Sequence, residues 1–418
     1  MSVATCELES PAIRPTPQHS AKRFYAPELD ALRFLAFLLV FCRHVTNALG
    51  VAKNRADLGT TAQKALPHVG GNASVAHLST SWAAVQSAAQ AFDFGVCLFF
   101  FLSAFLITRL LLMERETTGN VDIRNFYIRR SLRIWPLYFF FLGLTVIASS
   151  FFPVLRVSGS RLWAAVFFVG NWAAVLHGWD SVAIQPLWSV SVEEQFYLLW
   201  PNLARRGKST IVTVSIFLAA VSLLTLFVLG RREGTQVTQV WPNTLVQCLF
   251  LSGGALTACL SSPETRRLPL NKRLLLIACG FASWTTASVG FHVARTNSPG
   301  SVDLVLGYLL VLLGTFLVFS GTAGWNAHPI PGWLLYLGKI SYGLYVFHFA
   351  CLLLMEQATA FALGRIHEPH LSPYLTECVA DLLALALTLL CATLSYTCLE
   401  APFLRLKGRF TAVQSRPD

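Results

Sequence analysis

Apolar residues run in long blocks along this chain, and the polar stretches between them are short and mostly basic. Eleven blocks can be marked, at about 34–50, 90–112, 134–152, 162–177, 187–203, 210–229, 244–261, 274–292, 303–321, 334–356 and 376–399. Since about 20 apolar residues in a helix cross the ~30 Å of bilayer hydrocarbon, blocks of this length predict transmembrane helices. The block at 162–177 is the shortest and is interrupted by Gly170, Asn171 and Trp172. It is expected to be short or re-entrant and buried against protein. The predicted fold is therefore all-α, a polytopic membrane helical bundle of about ten transmembrane helices plus that one short segment.

Charge sets the expected orientation. If all eleven blocks crossed, the basic stretches ARRGK (Ala204–Lys208) and FLRLKGR (Phe403–Arg409) would face outward, against the positive-inside rule. With ten crossings, most of the 32 Lys and Arg fall on one side, which places both termini in the cytoplasm. Residues 1–23 are rich in Pro, Ser and Thr and lack a signal-peptide core, so they are expected to form a disordered cytoplasmic tail. Residues 24–405 form one membrane domain, and 406–418 a basic cytoplasmic tail.

Composition agrees with this class. The chain has 418 residues, is 54% hydrophobic and 13% charged, and has a mean hydropathy of +0.56. That is too apolar for a soluble domain, which must cover its core with polar surface. The formal charge of +11 follows from the basic loops, so it points to topology rather than to a nucleic-acid partner. The ten cysteines lie mostly inside apolar blocks, with no CxxC or Cys/His pattern at metal spacing, so no metal site is expected.

Against this background the intramembrane polar residues stand out, because a charge in mid-helix costs about 2.5–3.5 kcal/mol on insertion scales. In ELDALRFLAFLLVFCRHV, Arg33 and His44 are eleven residues apart, about 20° from three full turns and ~16 Å along the axis. They share a helical face. The competing reading has Arg33 snorkelling to headgroups and His44 at the far interface. In PLWSVSVEEQFYLLWP, Ser189, Glu193 and Tyr197 stack a hydroxyl, a carboxylate and a phenol at i, i+4 and i+8, beside Glu194. At least one of these glutamates is expected to face the protein interior; the competing reading places them at the water interface or pairs them structurally with an arginine. In FYIRRSLRIWPLY, Arg129, Arg130 and Arg133 cluster along one helix side, where guanidinium groups would grip a phosphate-rich cytosolic ligand or anionic lipid headgroups. In KISYGLYVFHF, His348 lies among aromatics, a setting more usual for a hydrogen-bonded structural group.

Taken together and in order, these motifs resemble the acyltransferase-3 family of integral-membrane O-acyltransferases. The likeness rests on ELDALRFLAFLLVFCRHV, FFFLSAFLIT (Phe99–Thr108), FYIRRSLRIWPLY, PLWSVSVEEQFYLLWP and ISYGLYVFH, and covers about residues 24–405. It implies a ten-span bundle of a bacterial inner membrane that takes an acyl group, acetyl first among the candidates, from cytosolic acyl-CoA. The acceptor implied is a hydroxyl of a cell-surface glycan or its lipid-linked precursor, such as a polysaccharide or lipopolysaccharide sugar. By motif match, Arg33 and His44 fall on the family's essential arginine and histidine, Arg130 and Arg133 on its cytoplasmic arginine pair, and Glu193 on its glutamate. The expected catalytic set is His44, Arg33 and Glu193. Acyl-CoA is expected at Arg129, Arg130 and Arg133, with Asp30, Ser189, Glu194, Tyr197 and His348 as secondary candidates and no cofactor beyond the acyl-CoA donor. Ala31 and Ala104 stand where members commonly carry glycine, which bears on helix packing and not on the chemistry. No soluble esterase-like domain is expected to follow the bundle. The competing classes are a transporter or flippase of a lipid-linked glycan, which needs no acyl donor, and a lipid-binding scaffold, which would tolerate loss of His44.

Overall fold

The computed structural model describes residues 24–63, 88–179, 182–260, 268–293, 300–325, 330–366 and 373–411. The expected N-terminal tail at 1–23 lies outside them. Every regular element among the described residues is helical. The long helices are α1 (Pro27–Gln63), α2 (Gly95–Thr118), α3 (Ile123–Ala148), α6 (Leu187–Arg206), α7 (Lys208–Arg231), α8 (Thr244–Leu260), α9 (Leu270–Val289), α10 (Ser301–Thr322), α12 (Ser341–Ile366) and α13 (Pro373–Ser395). Between α3 and α6 lie α4 (Gly159–Val166) and α5 (Gly170–His177). Between α10 and α12 lies α11 (Gly332–Lys339), and α14 (Ala401–Lys407) follows α13 through a single wide turn at Tyr396–Glu400.

Six stretches are long and apolar enough to cross a membrane: Gln90–Thr118, Ile123–Ala148, Lys208–Arg231, Ser301–Thr322, Ser341–Ala362 and Leu375–Phe410. Thr244–Leu260 is a shorter apolar helix. This makes the chain an integral membrane protein, with fewer qualifying spans among the described residues than the ten expected from charge. Two of the long helices outside the six, α1 and α6, carry charge within the helix: Glu28, Asp30, Arg33 and Arg43 in one, Glu193 and Glu194 in the other. Those are the same two helices in which the sequence concentrates its candidate chemistry.

The expected break at 162–177 is present as two helices of eight residues each, and at 1.5 Å per residue each is about 12 Å long. Phe168 in the break adopts a positive φ of 53°, and a glutamine from α6 holds the arrangement. The Gln195 amide nitrogen donates to the Phe168 carbonyl at 2.8 Å and to Asn171 Oδ1 at 2.9 Å, while its oxygen accepts from Thr244 at 2.6 Å. A non-helical segment at membrane depth requires such internal partners because lipid offers none.

The corner between α2 and α3 is built from local signals. Gly119 takes a left-handed φ of 79° and ends α2, and Asp122 caps α3 by accepting from the Asn125 N–H at 2.9 Å. Buried Glu114 then spans the corner, accepting from the Asp122 N–H at 3.0 Å and pairing with Arg129 at 2.7 Å. Arg129 also donates to the Phe410 carbonyl at 2.7 Å, so the stretch following α14 is clasped to the first turns of α3. The segment expected to begin a basic tail at 406 is packed as far as Phe410.

Elsewhere arginine serves as a helix cap. Arg273 is 3% exposed and donates to the carbonyls of Gly321, Ala323 and Gly324 at 3.1, 2.8 and 2.6 Å, satisfying the end of α10. The N–H of Gly324 donates in turn to Glu28 Oε1 at 2.8 Å, which fastens the start of α1. Glycine lets backbones touch where side chains would hold them apart. A methyl group at Gly338 would strike the Asp30 carbonyl on α1, and one at Gly254 the Phe101 carbonyl on α2.

Two stability outcomes follow. Arg129→Met leaves Glu114 buried without its cation and is expected to cost about 3–5 kcal/mol, read as a lower unfolding temperature in detergent; wild-type stability would show that the pair is not the clasp of this corner. Gly254→Ala presses carbon onto backbone that cannot swing aside and is expected to cost about 1–3 kcal/mol in the same measurement; a neutral result would mean α2 and α8 can separate freely.

Candidate functional site

The predicted stripe on α6 is the spine of the site. Each of its three members reaches a different neighbour. Tyr197 donates to Glu193 Oε2 at 3.1 Å and lies under the guanidinium of Arg130, 5.6 Å from ring centre to Cζ. Glu193 Oε1 accepts from Ser103 of α2 at 2.6 Å. Ser189 meets the hydroxyl of Tyr345 on α12 at 2.9 Å, and both lie within reach of the Pro186 carbonyl, at 3.1 and 3.2 Å. A helix that must bury a carboxylate gains from such a ladder, because each carboxylate oxygen is met by a donor, one from α2 and one from the next turn of α6.

Electrostatics join further groups to the middle rung. The positive charges of Arg33 and Arg130 both act on Glu193, and Arg33 also pairs with Asp30 one turn back at 3.3 Å. Arg130 is held by aromatic faces, Phe126 at 5.8 Å and Tyr197, and its Nε is buried without a hydrogen-bond partner. Arg133 acts electrostatically on Arg130 and on Glu400.

The imidazole of His44 lies at the other end of this ladder. Its ring centre is 4.5 Å from that of Phe349 and 5.3 Å from that of His348 on α12. His348 shares a helical turn with Tyr345, with ring centres 5.5 Å apart, so the Ser189–Tyr345 rung leads directly to the histidines. The adjacent Arg43 pairs with Asp93 at 3.0 Å, tying α1 to the turn at Gln90–Phe94 that precedes α2.

The structure thus sorts the sequence candidates. Arg33, Glu193, Tyr197 and Arg130 form one contact group and Ser189 joins Tyr345, His348 and His44 in another, the two aligned into one polar path by the i, i+4 spacing of Ser189 and Glu193 on α6. Among the described residues no hydrogen bond joins Glu193 to His44, and Arg33 attends Glu193 and Asp30 while His44 attends His348. Arg129 is drawn into the Glu114 and Phe410 clasp. Glu194 turns the other way, accepting from Trp135 Nε1 at 3.3 Å with its second oxygen buried and unpartnered. Ala104 is fully buried against the core. Sequence reasoning passed over Ser103, Asp93, Arg43 and Tyr345. The FFFLSAFLIT stretch did offer Ser103 as its one hydroxyl before Thr108, and Asp93 is the lone acid of its apolar block.

No group of three or more His, Cys, Asp or Glu arranged to hold a metal ion occurs among the described residues. In its chemistry the path offers a base, cations and hydroxyl partners.

Comparison with known proteins addresses the chain as a whole. An acyltransferase domain model of the acyltransferase-3 family matches residues 27–397. Over 357 residues the chain is 27% identical to the peptidoglycan O-acetyltransferase OatA of Listeria monocytogenes, covering 78% of this chain and 52% of that protein. Over 336 residues it is 26% identical to the O-acetyltransferase OatA of Staphylococcus aureus, covering 75% and 53%. The chain therefore spans about half the length of the curated relatives it matches. No solved structure matches it. Since the matched stretch runs from the first turn of α1, through every rung of the polar path, to the wide turn after α13, this chain belongs to the acyltransferase-3 family.

Proposed function

We propose that this chain transfers an acyl group, with acetyl the first candidate, from cytosolic acyl-CoA to a hydroxyl of an envelope glycan or its lipid-linked precursor. The observation that carries the reading is the polar path through the bundle core, from Arg130 through Tyr197, Glu193, Ser189 and Tyr345 to His348 and His44. The printed names of the two relatives, one of them a peptidoglycan O-acetyltransferase, support acetyl and a sugar acceptor. The orientation that goes with this reading has both termini in the cytoplasm of a bacterial inner membrane.

Arg130 and Arg133 take the phosphates of the donor at the basic end of α3, guanidinium being suited to phosphate by its fixed fork of donors. Arg129 is engaged by Glu114, so it organises this mouth without binding the donor. Arg33 and Glu193 hold the middle of the path, the cation offsetting negative charge that develops near the thioester carbonyl. His44 accepts the proton of the acceptor hydroxyl as that oxygen attacks, the carbon–sulfur bond breaks, and the thiol of coenzyme A leaves. An acyl group held transiently on His44 is the second route, since imidazole is also a nucleophile. A flippase would share the intramembrane charges but release no thiol.

His44→Gln is expected to lower acyl transfer in membranes about 10²–10⁴-fold at unchanged expression, the range for loss of a positioned base. Full transfer and full thiol release in that variant would remove His44 from the chemistry. Arg130→Gln combined with Arg133→Gln is expected to raise the KM for acyl-CoA at least about tenfold, equivalent to ~1.4 kcal/mol of lost donor binding. An unchanged KM would assign these arginines to lipid contact and topology alone.

A further inference from the structure

The second histidine of the path has an unusual bonding state. Nδ1 of His348 lies 2.6 Å from the Tyr345 carbonyl on its own helix. A carbonyl only accepts, so Nδ1 must carry the ring proton, and Nε2 must therefore hold a bare lone pair. The ring is fully buried, and Nε2 has no hydrogen-bond partner. The two nitrogens sit on opposite sides of an imidazole, so with Nδ1 turned onto α12, Nε2 is directed away from that helix. The ring's other close neighbours are Phe37 edge-on at 6.0 Å, Phe349 at 6.0 Å, the Tyr345 ring and His44 at 5.3 Å. The Tyr345 hydroxyl is already engaged by Ser189 and Pro186. Of these neighbours, His44 is the one with an N–H to give.

A purely structural histidine in so apolar a setting would have both nitrogens satisfied, because buried polar atoms without partners are rare. We infer that His348 is the positioning residue of His44: its bare Nε2 accepts the His44 N–H when the site closes on substrate. This rests on the reading of His44 as the base. Fixing one His44 nitrogen as donor leaves the other as the acceptor of the substrate proton, the role a third group plays toward the base in nucleophile–base–orienter arrangements. When the acceptor oxygen bonds to the thioester carbon and its proton moves to His44, the resulting imidazolium keeps its second N–H on His348. The proton taken from the hydroxyl then passes to sulfur as the carbon–sulfur bond breaks, giving ester and free thiol with no other reagent consumed.

The test compares polar replacements of His348 that differ in reach. A glutamine side chain would place an amide oxygen near the position of Nε2, whereas the shorter asparagine would not, and methionine fills the space without an acceptor. His348→Asn and His348→Met are expected to lose about 10–100-fold in kcat, the range for orienting partners behind a reactive group, with KM for acetyl-CoA unchanged. His348→Gln is expected to keep at least about a tenth of wild-type kcat. Equal kcat in the Gln and Asn variants, or wild-type kcat in His348→Met, overturns the pairing. If the Met variant fails to accumulate in the membrane, the Gln and Asn comparison decides alone. Failure of the base assignment would look different: His44→Gln would itself retain full transfer, whatever the His348 series does.

Discussion

The controlling constraint on this molecule is that hydrocarbon offers no hydrogen bonds. Any charge or hydroxyl placed at membrane depth must find its partner in the protein or be paid for in insertion free energy. The bundle meets this by drawing its polar helices inward. α2, which packs against both α1 and α8, is largely buried, whereas α7 presents Phe217 and Leu224 on its outer surface. The charged side chains of α1 and α6 thereby face the interior, where they are left to satisfy one another, while Leu198 and Leu199 of α6 remain on the outer surface. A connected polar path is what such mutual satisfaction produces.

Across the bundle, buried polar side chains divide into those that hold and those that remain uncommitted. Glu114, Arg129 and Arg273 are engaged by backbone or by one another, and Gln195 by Phe168, Asn171 and Thr244, so they fix a corner, a helix end and a broken helix. The Nε of Arg130, one oxygen of Glu194 and Nε2 of His348 are buried and unmatched. An unmatched buried group is costly in a resting protein, about 1–3 kcal/mol each, so its retention marks a place where a partner, from the protein or from a ligand, has yet to arrive.

Much of this was legible in the residues. Hydrophobic blocks located the helices, and the interruption read at Gly170–Trp172 lies just after the break between α4 and α5, which falls at 167–169. The i, i+4, i+8 spacing of Ser189, Glu193 and Tyr197 identified one shared polar face, because helical periodicity alone decides which residues share a face. Periodicity is silent on what the face meets. Arg33 and His44 do lie on one helix eleven residues apart, yet they serve different rungs, since their neighbours come from α6 and α12 respectively. Arg129 looks equivalent to Arg130 by spacing, and its engagement by Glu114 and by the returning chain at Phe410 separates them. His348 was readable as a buried histidine, but its proximity to His44 depends on how α12 crosses α1, a tertiary fact with no local signature. Charge counting favours ten crossings while hydropathy and helix length single out six among the described residues, the difference arising partly because α1 and α6 give up apolarity to carry polar side chains.

The first helix is fastened near both ends of its described side chains, by Glu28 to the turn after α10, by Asp30 under Gly338, and by Arg43 to Asp93. It is one uninterrupted rod, with neither proline nor glycine between Leu29 and Val45. Such a rod has no joint at which the guanidinium and imidazole could be re-aimed independently. A tilt induced by a molecule arriving at one would swing the other through an arc set by their axial separation, so registration between the two ends of the reaction is built into a single piece of backbone.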